Sequence, residues 1–358
     1  MILKKNKFFK LPQIFLFFIL FLGVLFSSCS SKKTENILSF NSMDTFMTVR
    51  SFGINSKKAN LEVKNRILQI EKQISSEDEN SALWQINHSE KFPAKMSMDL
   101  QKIAVFSKKM AEKTNGAFNP CLYPLKEAWG FVSKNYRVPS KSELENLLPL
   151  FDWTKINFTS NGEILLDKNV MLDFGASGKG YAGDEAVKIL KAYGIESAIL
   201  DLGGNIQLVG AKTLSGGKKS DWNVGIKNPL KKNDVGVLLK LQDEAVVTSG
   251  GYERFFETES GEKYIHIFDG KTGFPVQNEI LSVTVVAKSG LYADCLSTAL
   301  FVMGKKNAVE FWKSLSEKDE NFDFVILCRD KSLCFTSGLE GKIFALDDFA
   351  SQEIIVKN

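Results

Sequence analysis

Cysteine is scarce in this sequence. The 358 residues hold five, and Cys121, Cys295, Cys328 and Cys334 show no C-x-x-C spacing, so neither a zinc site nor a disulfide framework is implied. Cys328 and Cys334 flank a turn at 329–330 and could face one another, although core thiols are the default reading. Histidine is scarcer still, with two residues. Internal repeats, proline-rich linkers and long low-complexity tracts are absent. A true basic excess is absent too. The formal charge is +4, but Lys4, Lys5, Lys7 and Lys10 lie in the first 28 residues with no acid beside them. Without that segment the body is about neutral, which removes the basic surface a nucleic-acid partner needs.

The one long apolar run, residues 14–26, is too short for a comfortable membrane span and follows a lysine-rich start, so residues 1–28 read as a signal peptide. The run ends at Phe26-Ser-Ser-Cys29. Small residues before a cysteine resemble the bacterial lipobox, in which Cys29 is lipidated and becomes the mature N-terminus, with Phe26 standing where Leu is usual. The expectation is a membrane-anchored lipoprotein on the periplasmic or extracytoplasmic face, with residues 29–40 as a tether and residues 41–358 as one folded unit.

Periodicity organises the rest. Residues 42–52 alternate as a strand, and residues 57–74 carry a helical stripe. Further helices are expected over 99–113, ending at Asn115-Gly116, and over 139–148 with Ser140 as N-cap. Residues 155–158 and 164–166 flank Ser160-Asn-Gly162 as a hairpin. The second half alternates a helix at 180–193 with strands near 197–202, 222–226, 236–241, 264–268, 281–286, 324–328 and 342–346. Helices at 292–303 and 306–315 lie between the later strands. Hairpins with irregularly interspersed helices indicate an α+β fold rather than a doubly wound parallel sheet.

Several segments carry polar groups in patterns that suit chemistry. An apolar strand at 281–287 hands over to Ala293-Asp-Cys-Leu-Ser-Thr298. Helical spacing there puts Asp294, Ser297 and Thr298 on one face, where a hard cation such as Mg²⁺ is one reading and hydroxyls bonded to backbone the other. Leu172-Asp-Phe-Gly-Ala-Ser-Gly-Lys-Gly180 runs from a strand end into a helix. Its Gly175, Gly178 and Gly180 suggest amides turned toward an anion with Lys179 adding charge, or simply a tight turn. Residues 247–254 form a second glycine-bearing polar loop. In residues 264–275, His266 stands beside an aspartate and a turn, either as a general base or as a structural histidine. Gly116-Ala-Phe-Asn-Pro120 and Trp129-Gly-Phe131 offer aromatics for a planar ring or for the core, and Gly203-Gly204 mark a strand-end turn.

In this order the segments resemble ApbE-type FAD:protein FMN transferases, over about residues 41–346. The resemblance rests on Met43-Asp-Thr45, 81–87, 116–120, Trp129-Gly-Phe131, 173–180, Gly203-Gly204, 222–229, 248–254, 266–275 and 293–298. It implies a single T-fold-related domain of mixed, largely antiparallel sheet with helices. It also implies transfer of FMN from FAD to a Thr or Ser hydroxyl of an exported acceptor protein, through a phosphoester and with release of AMP. Mg²⁺ is then held by Asp294, Thr298 and a backbone oxygen at Ala176, while Ser297 stands where relatives vary between Ser and Ala. Met43, Ala117, Phe118, Asn119, Asp173, Lys179 and Phe268 match flavin-nucleotide positions, and His266 matches the base. The implied acceptors are flavin-carrying subunits of membrane redox complexes bearing a short motif that ends in Ser/Thr-Gly/Ser-Ala-Thr. Two departures stand out: Asn119 replaces an Asp common in relatives, and Glu77 lies where an aromatic is often found. Hydrolysis of FAD to FMN and AMP, and FAD storage without turnover, are the alternative activities.

Overall fold

A computed structural model describes residues 35–315, 321–349 and 353–357. The signal segment and Cys29 lie outside the described residues.

Strand β1 (Glu35–Ser42) pairs antiparallel with β2 (Thr45–Phe52). The turn between them puts Met43 and Asp44 at φ 49° and 57°, two left-handed residues whose twist matches that of the flanking strands. The single strand expected over 42–52 is therefore the second half of a hairpin. The tether expected over 29–40 also ends too late, because residues 35–40 belong to the sheet. Their alternation explains it: Asn36, Leu38 and Phe40 turn inward while Glu35, Ile37 and Ser39 are exposed.

Among the described residues the α-helices are, in chain order, α1 (Ser56–Ile74), α2 (Ala82–Asn87), α3 (Met98–Lys113), α4 (Tyr123–Ala128), α5 (Lys141–Leu147), α6 (Gly178–Ala192) and α7 (Gly290–Leu315). In α1, Ala59, Val63, Ile67, Ile70 and Ile74 are buried at spacings of three and four, the stripe that docks a helix on a sheet. Ser140 caps α5 by accepting from the Glu143 N–H. Within α7, Gly304 is non-helical at φ 77° and ψ 163°, so the span is two helices, as the sequence indicates.

The other strands of the two larger sheets are β3 (Ala198–Asp201), β4 (Asn205–Val209), β5 (Trp222–Lys227), β6 (Val235–Leu241), β7 (Ala245–Gly250), β8 (Ile280–Ala287), β9 (Phe322–Cys328), β10 (Leu333–Thr336), β11 (Ile343–Ala345) and β12 (Glu353–Val356), and short two-stranded hairpins make up the rest. Nine form one sheet in the order β1-β2-β3-β4-β7-β8-β9-β10-β12. Every pairing in it is antiparallel except β10 with β12. Helices α1, α6 and α7 share the larger apolar core with one face of this sheet. A second core, around Trp222, Leu239 and Phe335, lies between the sheet and the smaller β11-β6-β5 sheet. A third cluster gathers around Trp129. The fold is α+β with a largely antiparallel sheet. The four described cysteines are free and buried, so Cys328 and Cys334 are core thiols.

Candidate active site

The end of the sheet that carries the β1–β2 turn also holds the β3–β4 turn. There Gly203 sits at φ 74°, and an added Cβ would meet Thr45 Oγ1 at 2.2 Å. Only a glycine lets the two turns approach so closely.

Helix α6 starts at this end and crosses α7 at equally close range. A Cβ on Gly180 would fall 2.2 Å from the Gly290 carbonyl oxygen and 2.8 Å from Asp294 Cβ. The missing side chain lets the Gly180 N–H donate to Asp294 Oδ2 at 2.8 Å. From α6, Asp184 accepts from Ser289 Oγ at 2.7 Å and from the Gly290 N–H at 2.5 Å, capping the start of α7. The two helix starts are thus locked together by carboxylates.

This arrangement corrects the expected role of the glycine amides. The Gly175 N–H donates to Asp173 Oδ1 at 2.9 Å, the Gly178 N–H to the Phe174 carbonyl at 2.7 Å, and the Gly180 N–H to Asp294. None is left for an anion. The glycines serve packing, since a Cβ on Gly178 would meet Ile74 Cδ1 at 2.6 Å. The cation of Lys179 is the part of that segment that can reach a phosphate.

Asp294 is 4 % exposed, and burial raises its carboxyl above the usual range against the pull of Lys179 and the Gly180 N–H. One turn along α7, Thr298 Oγ1 lies 3.2 Å from Ser249 Oγ at the end of β7. Ser249 also lies 2.8 Å from Ser297 Oγ, which donates to the Asp294 carbonyl at 2.9 Å. The backbone-bonded reading therefore holds for Ser297 and not for Thr298. Ala176 sits in the short loop before α6, four residues from Gly180. Among the described residues no group of three His, Cys, Asp or Glu is placed to hold a metal. By donor chemistry, the Asp294 carboxylate, the Thr298 hydroxyl and the Ala176 carbonyl are all hard oxygens, a set that suits Mg²⁺ and not zinc.

His266 falls between two short strands rather than inside one, with the Lys263–Ile265 strand before it and Phe268–Asp269 after it. Its Nδ1 lies 3.0 Å from the Arg254 carbonyl. A carbonyl only accepts, so Nδ1 carries the hydrogen and Nε2 keeps its lone pair. Burial, followed by the charges of Lys126, Arg254 and Lys179, pushes its pKa down to about 4, so the ring is neutral at pH 7. Asp173 shows the opposite balance. Burial works to raise it, yet Lys126 Nζ at 2.8 Å, the Gly175 N–H and Ser76 Oγ at 3.2 Å hold it below the usual carboxylate range. Glu77 is raised by burial and by the neighbouring Asp44, and Arg254 reaches Asp44 at 3.8 Å. One patch thus gathers His266, Lys126, Lys179, Arg254 and three carboxylates.

The positions matched to flavin nucleotide separate into two groups. Met43 is half-buried, and its N–H donates to Glu71 Oε1 at 2.6 Å, with Ser42 Oγ on the other oxygen at 2.8 Å. Asp173 acts on Glu77 beside that turn and Lys179 on His266, while Ala117 packs half-buried against the main core. Phe118 and Phe268 are buried, and the Phe268 ring packs 5.6 Å from Phe131 and 6.1 Å from Trp129, so it is wall rather than an open stacking face. Trp129 is fully buried and donates to the Gly273 carbonyl at 3.0 Å. Asn119 Nδ2 donates to the Phe151 carbonyl at 2.7 Å while its Oδ1 accepts from the Cys121 N–H. An aspartate in this orientation would set carboxylate against carbonyl. The sequence assigns nothing to Lys126 and Ser249: Lys126 lies in a one-and-a-half-turn helix without a motif, and Ser249, in a segment expected as loop, ends strand β7 with nothing in the sequence to set it apart. Arg254 closes that loop, and its conspicuous charge was the available signal.

A sequence model of the ApbE family matches residues 43–322, and the chain belongs to that family. The FAD:protein FMN transferase of Treponema pallidum is 32% identical over 300 residues, 80% of this chain and 81% of that protein. The enzyme of the same name from Escherichia coli K12 is 29% identical over 286 residues, covering 76% of this chain and 80% of that protein. Among solved structures, the Thermotoga maritima ApbE protein superposes with a TM-score of 0.75 at 29% identity, over 88% of this chain and 98% of that one. The flavin transferase ApbE of Vibrio cholerae gives 0.73 at 25%, with the same coverage of both chains.

Proposed function

We propose that this chain transfers FMN from FAD to a threonine or serine hydroxyl of an exported acceptor protein, leaving a phosphoester and releasing AMP, with Mg²⁺ required. The observation that carries this reading is the neutral His266, its Nε2 bare, set among Lys126, Lys179 and Arg254 in a family whose relatives are named for this transfer. The three cations suit the diphosphate of FAD. Met43, Ala117 and Asn119 with the Asp173 loop border the flavin nucleotide, and Phe118 and Phe268 support that wall from behind. His266 Nε2 takes the proton of the acceptor hydroxyl. The hydroxyl oxygen bonds to the phosphorus on the riboflavin side, and the bond from that phosphorus to the AMP oxygen breaks. When held by Asp294, Thr298 and the Ala176 carbonyl, Mg²⁺ supplies neutralisation of the charge that develops on departing AMP. The acceptor class is a flavin-carrying subunit of a membrane redox complex.

Incubation with FAD and Mg²⁺, with and without an acceptor fragment, tests the proposal. Flavin covalently bound to the acceptor supports it. AMP formed equally without acceptor would mean hydrolysis, and intact bound FAD would mean storage. The leader supports a further part of the proposal, lipidation at Cys29 and residence on the extracytoplasmic face of the membrane. Mass spectrometry of the exported chain and of Cys29→Ser tests it, since a lipid mass retained in the variant would refute it.

A further inference from the structure

Two ends of the molecule differ in character. Strand β1 enters at Glu35, opposite Phe52, and runs eight residues to the Met43 turn, about 25 Å. The entry end lies at the far pole from the candidate active site. Collected there are the start of α1, the end of α6 and the hairpin of Lys212–Thr213 with Lys219–Ser220. Ser197 ties them together: its carbonyl accepts from the Phe52 N–H at 2.9 Å and its Oγ from the Thr213 N–H at 3.1 Å. Six lysines cluster on this pole, Lys57, Lys58, Lys191, Lys212, Lys218 and Lys219, and all but Lys212 are exposed. The acids nearby are fewer. Glu35 pairs with Arg50 at 3.4 Å, Asp243 accepts from the Gly210 N–H, Asp221 from Gln242, Glu244 pairs with Lys288 at 3.5 Å, and Glu196 lies in the loop before β3. A body that is neutral overall therefore concentrates positive charge where its chain enters. Two apolar side chains stand in this field: Ile54, 76 % exposed at the tip of the 53–55 loop, and Leu214, 40 % exposed.

We propose that this pole docks on an anionic lipid bilayer, with the lysines on headgroup phosphates and Ile54 and Leu214 at the acyl boundary. Charge complementarity selects an anionic surface, to which basic residues next to a membrane are drawn. The apolar tips favour a bilayer over a polar macromolecule. Chain length points the same way: Cys29 precedes Glu35 by six residues, so a lipid there cannot lie more than ~20 Å from this pole. That last argument rests on the proposed lipidation of Cys29; the lysine cluster and the apolar tips do not. Docked in this way, the chain holds its active site on the side away from the membrane, open to an acceptor.

The test uses the unlipidated chain from Ser30, which retains every described residue. Every described element lies from Glu35 onward, so this chain keeps all of the described fold. Co-sedimentation with phosphatidylglycerol-containing vesicles is compared with pure phosphatidylcholine vesicles and with heparin beads. Binding to the anionic vesicles is expected, falling as salt rises. It should drop at least about tenfold in Lys57→Glu/Lys58→Glu/Lys218→Glu/Lys219→Glu, and less in Ile54→Ser. FAD turnover on a soluble acceptor should be unchanged in both variants. Equal binding to both vesicle types, full binding by the charge-reversed variant, or retention on heparin without vesicle binding would each overturn the proposal. Vesicle binding by a chain that fails to turn over FAD, or whose Cys29 proves unlipidated in the exported form, would leave it standing and refute those other readings instead.

Discussion

Replacing Asp294 with asparagine separates the cation site from the fold. The carboxylate is buried, has the Gly180 N–H as its hydrogen-bond donor, and is raised by burial above the usual range. Its amide can keep that bond through Oδ1, so the fold should survive. Without metal, the folded protein binds a proton at Asp294 at pH values where the unfolded chain does not. This group therefore costs stability above its raised pKa, and the cost fades as pH falls toward the ordinary carboxylate value. Asp294→Asn removes that cost, so the metal-free variant should melt at or above the parent at pH 7, with the gap closing in acid. Mg²⁺ should act in the opposite sense. A ligand at a hundred times its dissociation constant stabilises by about 2.7 kcal/mol, which for a domain of this size raises Tm by roughly 5 °C. The parent should show that shift between EDTA and excess MgCl2, and the variant should not. Thermal denaturation at several pH values reads both effects. An equal Mg²⁺ shift in the two proteins would refute the assignment whatever happens to activity, and Asp294→Ala should likewise abolish Mg²⁺-dependent turnover.

Three other substitutions probe the surrounding structure. His266→Ala should lower transfer by at least about a hundredfold while fluorescence titration still shows FAD binding. Because the ring pKa is pushed down to about 4, the acid limb of kcat/KM should fall near that pH, and a limb at the ordinary histidine value would contradict the cation cluster. Gly180→Ala puts a methyl 2.2 Å from the Gly290 carbonyl, and the overpacking should cost about 1–3 kcal/mol by urea denaturation and blunt the Mg²⁺ shift; an unchanged shift would show that Asp294 does not depend on this contact. Lys126→Met leaves the largely buried Asp173 carboxylate without its cation and should destabilise by about 1–3 kcal/mol, most of it recovered in Lys126→Met/Asp173→Asn. Asp173 is held below the usual range, so the parent's advantage is present above the unfolded carboxylate value and disappears as pH falls through the lowered one.

Much of the fold was legible because its signals are local. The α1 stripe, the Ser140 cap, the break at Gly304 and the alternating second-half strands each depend on residues a few positions apart. The β1–β2 hairpin was harder. Its turn uses Met43 and Asp44 in the left-handed region with no glycine, so nothing in the composition announces it, and residues 35–40 read as tether in the sequence alone. Sheet order is not local at all. The pairing of β4 with β7 joins residues some forty positions apart, across the β5–β6 excursion, and no periodicity encodes it.

The site divides along the same line, and the glycines show why. Read alone, Gly175, Gly178 and Gly180 fit two needs equally well, because an amide aimed at an anion and a backbone pressed against a neighbour both require a missing side chain. Only the partner tells them apart, and each partner lies elsewhere in the chain: Ile74 for Gly178, and Gly290 with Asp294 for Gly180. The same distance hid Lys126, whose meaning comes from Asp173, forty-seven positions away. Asp294 differed because its neighbour Thr298 shares its helical face. The spacing could show that oxygens cluster there, yet not that the carboxylate is buried with a single amide for company. An uncompensated buried carboxylate costs free energy, and that cost is what the proposed Mg²⁺ would offset.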